Sequence, residues 1–276
     1  MKFASWSKDV AALAEEAAGL ACRRFHEGSR WIEKGQGDWA SEADLEVEEF
    51  IRNGLQAIAP GTRVHGEEAG LREASDAHAP SPHSTFTWHV DPIDGSANFV
   101  RGIPHFATVI SLTEHQPTGS PRIRIGITVD PCRKELFLAV DGERTRLNGR
   151  DVHVSVERPA LKSLLAVVTP KPDVWYMESF LKWCAPHVSE FGGIRRSGAM
   201  ALDMAWIACG RLDAFAGFQL EPWDIQAGVI QVLGAGGCAD PHHSIRSFPN
   251  EQPLELCLVA NCSSLLSKLS GDRNGR

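Results

Sequence analysis

Apolar residues between positions 7 and 26 recur every three or four places, at Val10, Leu13, Ala14, Ala17 and Ala21, which predicts an amphipathic helix with Ser7 placed to cap it. The polar segment EKGQGDW (33–39) breaks that period and reads as a loop. The period resumes at Val47, Phe50, Ile51, Leu55 and Ile58, predicting the buried stripe of a second helix. Ser41 followed three places later by Asp44 resembles a capping box at its start, and Pro60–Gly61 ends it. Residues 70–84, rich in Ala, Ser, Pro and charge, read as a surface excursion. From Thr85 onward short β-branched and aromatic runs replace the helical period: TFTWHV, FATVISL, RIRIGITV and KELFLAV read as strands. Asp141–Gly142 and Asn148–Gly149 are hairpin-type turns. Another strand (SLLAVV) precedes helices near 173–185, 198–209 and 223–233, and the chain closes on a strand (LELCLVA) and a short helix.

Helices first, then a run of strands, then alternation: this order predicts an α/β layered protein and fits neither a simple doubly wound sheet nor a (β/α)₈ barrel. A soft division near residue 150 separates an α+β part (1–150) from an α/β part (151–276), the two forming one compact unit. With 276 residues and 43% apolar content the chain can bury a sizeable core. The formal charge of −7 argues against a general nucleic-acid or anionic-membrane binder, so the expected partners include neither. The N-terminal apolar stretch is interrupted by acidic residues, unlike a signal peptide, and no apolar run approaches membrane-spanning length. Seven cysteines, scattered and without a C-x-x-C pair, read as reduced thiols. A cytoplasmic location is the expectation.

The candidate chemistry is acidic. Asp44, Glu67 (in GEE), Asp91 and Asp94 (in DPIDGS) and Asp224 (in PWDIQAG) all fall at the ends of predicted elements. Hard divalent cations take oxygen ligands from distant segments and share phosphate oxygens, so these motifs point to Mg²⁺, or Mn²⁺, rather than zinc. In DPIDGS the proline fixes a dihedral as the strand ends, so that Asp91, the Ile93 carbonyl and Asp94 can face one point. Gly95 then allows a close turn, and a helix beginning there offers the N–H groups of Gly95, Ser96 and Ala97 to an anion. Taken singly, D-P-x-D-G is a common turn and W-D before a helix a common cap; the ordered set carries the signal.

That set resembles the inositol monophosphatase family of Mg²⁺-dependent, lithium-sensitive phosphatases. The resemblance runs through GDWASEAD (37–44), GEE (66–68), WHVDPIDGSANFVRGIPHFATVISL (88–112), RRSGAMALDMAWIACGRLDAF (195–215) and PWDIQAGVIQVLGAGG (222–237). It implies an αβαβα sandwich of the inositol monophosphatase and fructose-1,6-bisphosphatase type, and a homodimer. It implies that Glu67, Asp91 and the Ile93 carbonyl hold one metal, that Asp91, Asp94 and Asp224 hold a second, and that a third, weaker ion sits by Glu67. Asp44 and Ser96 match the family's water-activating pair, with Ser96 where Thr is usual. Asp94, Gly95, Ser96, Ala97, Gly198 and Glu221 fall on the substrate side. The implied reaction is in-line attack on a phosphate monoester by a metal-activated water, oriented by Glu67 and the Ser96–Asp44 pair. Residues 34–38 match a mobile loop of the family.

The pattern departs from inositol-specific members at Gly217, where a substrate-contacting glutamate is usual. Either Glu221 reaches in from four residues on or another ester is preferred: a histidinol phosphate, a 3′-phosphorylated nucleotide or a sugar bisphosphate. Met200 replaces a small residue and reads as helix core. Arg195 and Arg196 are candidate phosphate contacts or solvated surface residues. A regulatory binding protein on the same scaffold is the reading from a different class.

Overall fold

The computed structural model describes residues 2–28, 30–35, 38–73, 85–116, 121–170, 174–240 and 254–271. Helix α1 (Lys2–Glu27) begins earlier than the apolar spacing suggests. Phe3 and Trp6 supply the reason, packing edge-on against Phe86 at ring-centroid distances of 6.0 and 5.7 Å, which adds an aromatic turn to the aliphatic stripe. The segment read as a loop contributes to a hairpin of β1 (Trp31–Gly35) and β2 (Asp38–Ser41), paired through Trp31 with Ser41 and Glu33 with Trp39. Gln36 and Gly37, in the stretch matched to a mobile loop, lie outside the described residues, as do 74–84 of the surface excursion.

Helix α2 (Glu42–Ile58) buries Val47, Ile51 and Leu55 as expected, but Phe50 is 38% exposed while Glu48 and Arg52 are buried. The inward face is therefore rotated from the apolar one, because Glu48 and Arg52 satisfy each other and the neighbouring backbone.

The larger sheet runs in the order β10-β9-β8-β7-β6-β5-β3-β4. Its strands are β3 (Arg63–Gly66), β4 (Gly70–Arg72), β5 (Thr85–Asp94), β6 (Ala107–His115), β7 (Arg122–Asp130), β8 (Glu135–Val140), β9 (Arg146–Leu147) and β10 (Arg150–Asp151). All neighbours are antiparallel except β3 and β5. A short helix α3 (Ser96–Val100) follows β5. The second sheet is ordered β12-β11-β13-β15-β14. It comprises β11 (Leu164–Val168), β12 (Gly193–Arg195), β13 (Ala214–Leu220), β14 (Cys238–Ala239) and β15 (Leu254–Ala260), with β12, β11 and β13 parallel. Helices α4 (Val174–Glu190), α5 (Met200–Ala208), α6 (Pro222–Gly234) and α7 (Ser263–Ser270) complete the order.

Three apolar layers join these elements. Val10, Ala17, Val47, Ile51 and Leu55 of α1 and α2 meet Trp88, Ile110 and Ile125 on one face of the larger sheet. Met204, Ile225 and Val229 of α5 and α6 meet Phe215 and Val259 of the second sheet and Ile123 and Ala139 of the first. Phe180 of α4 and Leu265 and Leu269 of α7 cover the outer face of the second sheet at Val167, Ala216 and Leu258. The result is α, β, α, β, α: the five-layer sandwich expected, with α5 and α6 as the filling.

Candidate active site

Strand β5 delivers the central aspartates. Trp88 and Val90 enter the core beneath α1 and α2, so the alternating residues Thr87, His89 and Asp91 lie on the opposite face, toward α6. The strand does not end at the proline. It continues through Pro92 to Asp94, with a register shift: Asp91 pairs with Val109 and Asp94 with Ala107, three steps on β5 against two on β6. Proline is tolerated at such a bulge because the ladder is already interrupted, and the bulge re-aims both carboxylates. The Pro92 carbonyl accepts the Thr108 hydroxyl at 2.9 Å, and the Ile93 N–H donates to Asp91 Oδ1 at 3.0 Å. Gly95 then takes φ +97°, and a Cβ there would stand 3.0 Å from the Gly198 carbonyl, so the turn needs glycine twice over.

The carboxylates of Asp44, Asp91, Asp94 and Asp224 lean on backbone or hydroxyl donors. Asp44 Oδ2 accepts from the Ser41 N–H (2.7 Å) and hydroxyl (2.6 Å), while its Oδ1 accepts the Ser96 hydroxyl at 2.9 Å. Asp44 therefore both caps α2 and meets Ser96. The Ser96 Oγ also lies 2.9 Å from the Ile93 carbonyl, and its single proton can go to only one of them. Asp94 accepts the N–H groups of Met200 (3.0 Å) and Ala201 (2.7 Å), capping α5 across the layer boundary. Asp224 Oδ2 accepts the Glu221 N–H at 2.8 Å, and the Glu67 N–H donates to the Val90 carbonyl beside Asp91.

The electrostatics show convergence. Asp91, 3% exposed, has its carboxyl held well above the usual range, first by burial and then by the charges of Glu67, Asp94, Asp224 and Asp44. Asp94 is pushed up to about 7, chiefly by burial and against the pull of the Ala201 and Met200 amides. Among the described residues no group of three or more His, Cys, Asp or Glu side chains stands in ligand geometry. The donor set is nonetheless oxygen-based, buried at Asp91 and Asp94 and half-buried at Glu67 and Asp224, and its charges repel at Asp91, which is the chemistry a hard divalent cation relieves.

Of the residues expected on the substrate side, Gly95 and Gly198 come together, with Ser96 next in the chain. Asn98 donates to the His105 (2.8 Å) and Ser197 (3.0 Å) carbonyls and so pins the segment before α5 onto α3. Ala97 is the second residue of α3 and is exposed. Glu221 is half-buried at the N-cap of α6. Gly217 is not an open position: a Cβ there would meet Leu220 Cδ1 at 2.4 Å and Phe215 Cζ at 2.8 Å. Met200 packs against the α5–α6 core, as its sequence reading has it. Arg196 donates to the Thr169 hydroxyl at 3.0 and 3.2 Å, and Arg195 to the Ile194 carbonyl at 3.1 Å.

The apolar pattern gave no sign of the clamp behind Glu67. Glu48 and Arg52, both 1% exposed, form an ion pair at 2.7 Å. Glu48 also accepts the N–H groups of Glu68 (2.7 Å) and Ala69 (2.9 Å), and Arg52 donates to the Gly70 carbonyl, so the turn carrying Glu67 is tied to α2. The available signal was the four-residue spacing of two opposite charges along the buried stripe.

Asp203, next to the site on α5, accepts the Ser197 hydroxyl at 2.7 Å and is pushed up to about 7 by burial. Its folded state holds a proton that the unfolded chain releases, so its ionisation destabilises the fold across about pH 4 to 7, by at most about 1.4 kcal/mol per pH unit. Asp203→Asn is therefore expected to flatten the decline in stability over that window, measured by urea unfolding with chelator present. An unchanged pH slope would show that Asp203 ionises normally in the fold.

Comparison with known proteins is consistent with this geometry. The model of the inositol monophosphatase family matches residues 4–261. An inositol-1-monophosphatase of Caulobacter vibrioides is 35% identical over 231 residues, covering 83% of this chain and 86% of that protein. The Nus factor SuhB of Pseudomonas aeruginosa is 36% identical over 207 residues, 74% of this chain and 73% of the relative. Among solved structures, the extragenic suppressor protein suhB from Bartonella henselae superposes with a TM-score of 0.80 at 29% identity, covering 94% of each chain.

Proposed function

The chain belongs to the inositol monophosphatase family, and from that premise we propose that it hydrolyses a small phosphate monoester, inositol 1-phosphate or a similar polyol phosphate. The observation that carries this reading is the set of carboxylates, from Glu67, Asp94, Asp224 and Asp44, that bear on buried Asp91 beside a serine hydroxyl. Glu67, Asp91, Asp94, Asp224 and the Ile93 carbonyl are the groups that would hold two or three Mg²⁺ ions, with Mn²⁺ a substitute. Bound there, the cations would neutralise phosphoryl charge and make a nearby water more acidic.

The chain's own groups do the rest. Asp44 orients the Ser96 hydroxyl, and that pair, with Glu67, aligns the attacking water and accepts its proton. The N–H groups of Gly95, Ser96 and Ala97 face the phosphoryl oxygens. Glu221 and Gly198 border the leaving alcohol. With Gly217 closed off by Leu220 and Phe215, Glu221 is the acidic group proposed to read a substrate hydroxyl.

The test is phosphate release at saturating Mg²⁺ from inositol 1-phosphate, histidinol phosphate, adenosine 3′,5′-bisphosphate, fructose 1,6-bisphosphate and β-glycerophosphate. The expected result is preference for inositol 1-phosphate, with Glu221→Gln raising its KM more than that of β-glycerophosphate. Release from none of them would overturn the reading. The Nus factor name of a close relative favours a second reading, a regulatory role on the same scaffold. Retention of the cellular task by a chain unable to hydrolyse any ester would support it. Among the described residues no helix is long and apolar enough to cross a membrane. A homodimer is part of the proposal, to be checked by sedimentation.

A further inference from the structure

The face of the larger sheet beneath α6 carries a second cluster that the proposed reaction does not use. Strands β3 and β5 run parallel, and His65 stands directly opposite His89. Asp91 lies two residues further along β5 and Glu67 just past the end of β3; two residues back, Arg63 stands opposite Thr87. His89 is 1% exposed, and neither Nδ1 nor Nε2 has a hydrogen-bond partner; Thr87 Oγ1, in a residue 0% exposed, has none either. Buried polar atoms left this way are rare in folded proteins, and each calls for an occupant that satisfies it. The His65 ring lies 5.7 Å from that of His89, tilted by 50°, and the ring of Trp223 stands edge-on to His65 at 5.0 Å and 81°. The aromatic neighbour limits how the His65 imidazole can turn.

We propose that His65 and His89 form a nitrogen-donor site for a transition-metal dication of the Zn²⁺ or Co²⁺ type, distinct from the carboxylate set beside it. The spacing supports this. A metal–nitrogen bond of about 2.1 Å places an imidazole centroid roughly 3.2 Å from the ion, so two rings at about 90–120° have centroids roughly 4.5–5.6 Å apart. The observed 5.7 Å lies just beyond that range, a gap that a small rotation about each side chain closes. Two ligands from neighbouring strands leave the remaining positions to water; His65 and Trp223 are half-buried, and His89 is buried behind them.

Ligand preference separates this site from the one above it. Mg²⁺ binds oxygen and keeps its waters, whereas imidazole suits zinc, cobalt, nickel and copper. The charge environment is mixed: Arg63 lies on one side and the carboxylates of Glu67 and Asp91 on the other, about two strand residues, or roughly 6.6 Å, away in each direction. Net charge does not select the ion, because His65, His115 and Arg63 all bear on the His89 ring; the preference for a nitrogen-seeking metal rests on ligand type.

The proposal is independent of the phosphatase reading and its test does not use activity. The full chain, stripped of metal and then saturated with Mg²⁺, is titrated with Co²⁺ while its visible absorption is followed. One Co²⁺ per chain should bind with the stronger bands of nitrogen ligation. His89→Val and His65→Gln should each weaken that binding by at least about tenfold. Should His89→Val fail to fold, His65→Gln, at the more open position, carries the test. Absence of these bands in the unaltered chain, or equal affinity in both variants, overturns the proposal. So does water rather than anomalous density between the two rings in a zinc-soaked crystal.

Discussion

Asp91→Asn should lower kcat/KM for the preferred phosphate ester by at least about a thousandfold, roughly 4 kcal/mol of transition-state stabilisation, because Asp91 is shared by both proposed metal positions. The same change should stabilise the metal-free fold. Asp91 is buried among Glu67, Asp94, Asp224 and Asp44, and every one of those charges disfavours its ionised form. Replacing it by a neutral amide of the same shape removes that repulsion and keeps an oxygen for the Ile93 N–H, which donates to it at 3.0 Å. A gain on the order of 1–2 kcal/mol in chelator is expected. Phosphate release and urea unfolding of the same preparations check both halves. Opposite signs for activity and apo stability are the signature of a cation site. Loss of both would mean that Asp91 is a structural residue, and loss of neither would remove it from the centre of the reaction.

Glu48→Ala is expected to cost about 3–5 kcal/mol of folding stability, and to lower the melting temperature by roughly 10 °C. Arg52 would be left as an uncompensated charge at 1% exposure, and the Glu68 and Ala69 N–H groups would lose their acceptor. Glu67 sits at that turn, so activity should fall with stability even at temperatures where the variant stays folded. Glu48→Gln, which keeps the acceptor oxygen but not the charge, should lie between the two. Calorimetry in the presence and absence of Mg²⁺ measures the effect. A change below about 1 kcal/mol would show that solvent reaches Arg52 and that the clamp does not hold the turn.

The Glu48–Arg52 pair also shows where a hydrophobic pattern misleads. Apolar spacing put Phe50 in the buried stripe of α2; the fold leaves it 38% exposed and takes in Arg52 instead. A charged residue enters a core only when distant partners meet it, here the Val64 and Gly70 carbonyls of β3 and β4, and no window of ten residues contains them. His89 is similar. Its strand reads as apolar and aromatic, and only the pairing with β3 sets it opposite His65. The bulge at Pro92 follows the same logic, since the sequence shows a proline and cannot show that Thr108 on the neighbouring strand accepts the interruption.

What the sequence determined by itself were the features that act over a few residues. They include the helical stripe of α1, the capping of α2 by Ser41 and Asp44, the strand runs from Thr85 to Val140, the glycine at the turn after Asp94, and the order of acidic motifs that marks the family. Periodicity, capping and turn chemistry are local, and one chain suffices to read them. The tertiary structure alone decided which of those residues meet. Asp94 caps α5 from 106 residues away, and Asp44 finds Ser96 across 52. Gly217 lies shut beneath Leu220, and three distant segments, carrying Asp44, Glu67 and Asp224, press their charge on Asp91 along with neighbouring Asp94. Those outcomes depend on how two sheets and three helix layers stack, and stacking is set by the sum of many weak contacts between distant positions rather than by any one stretch of sequence.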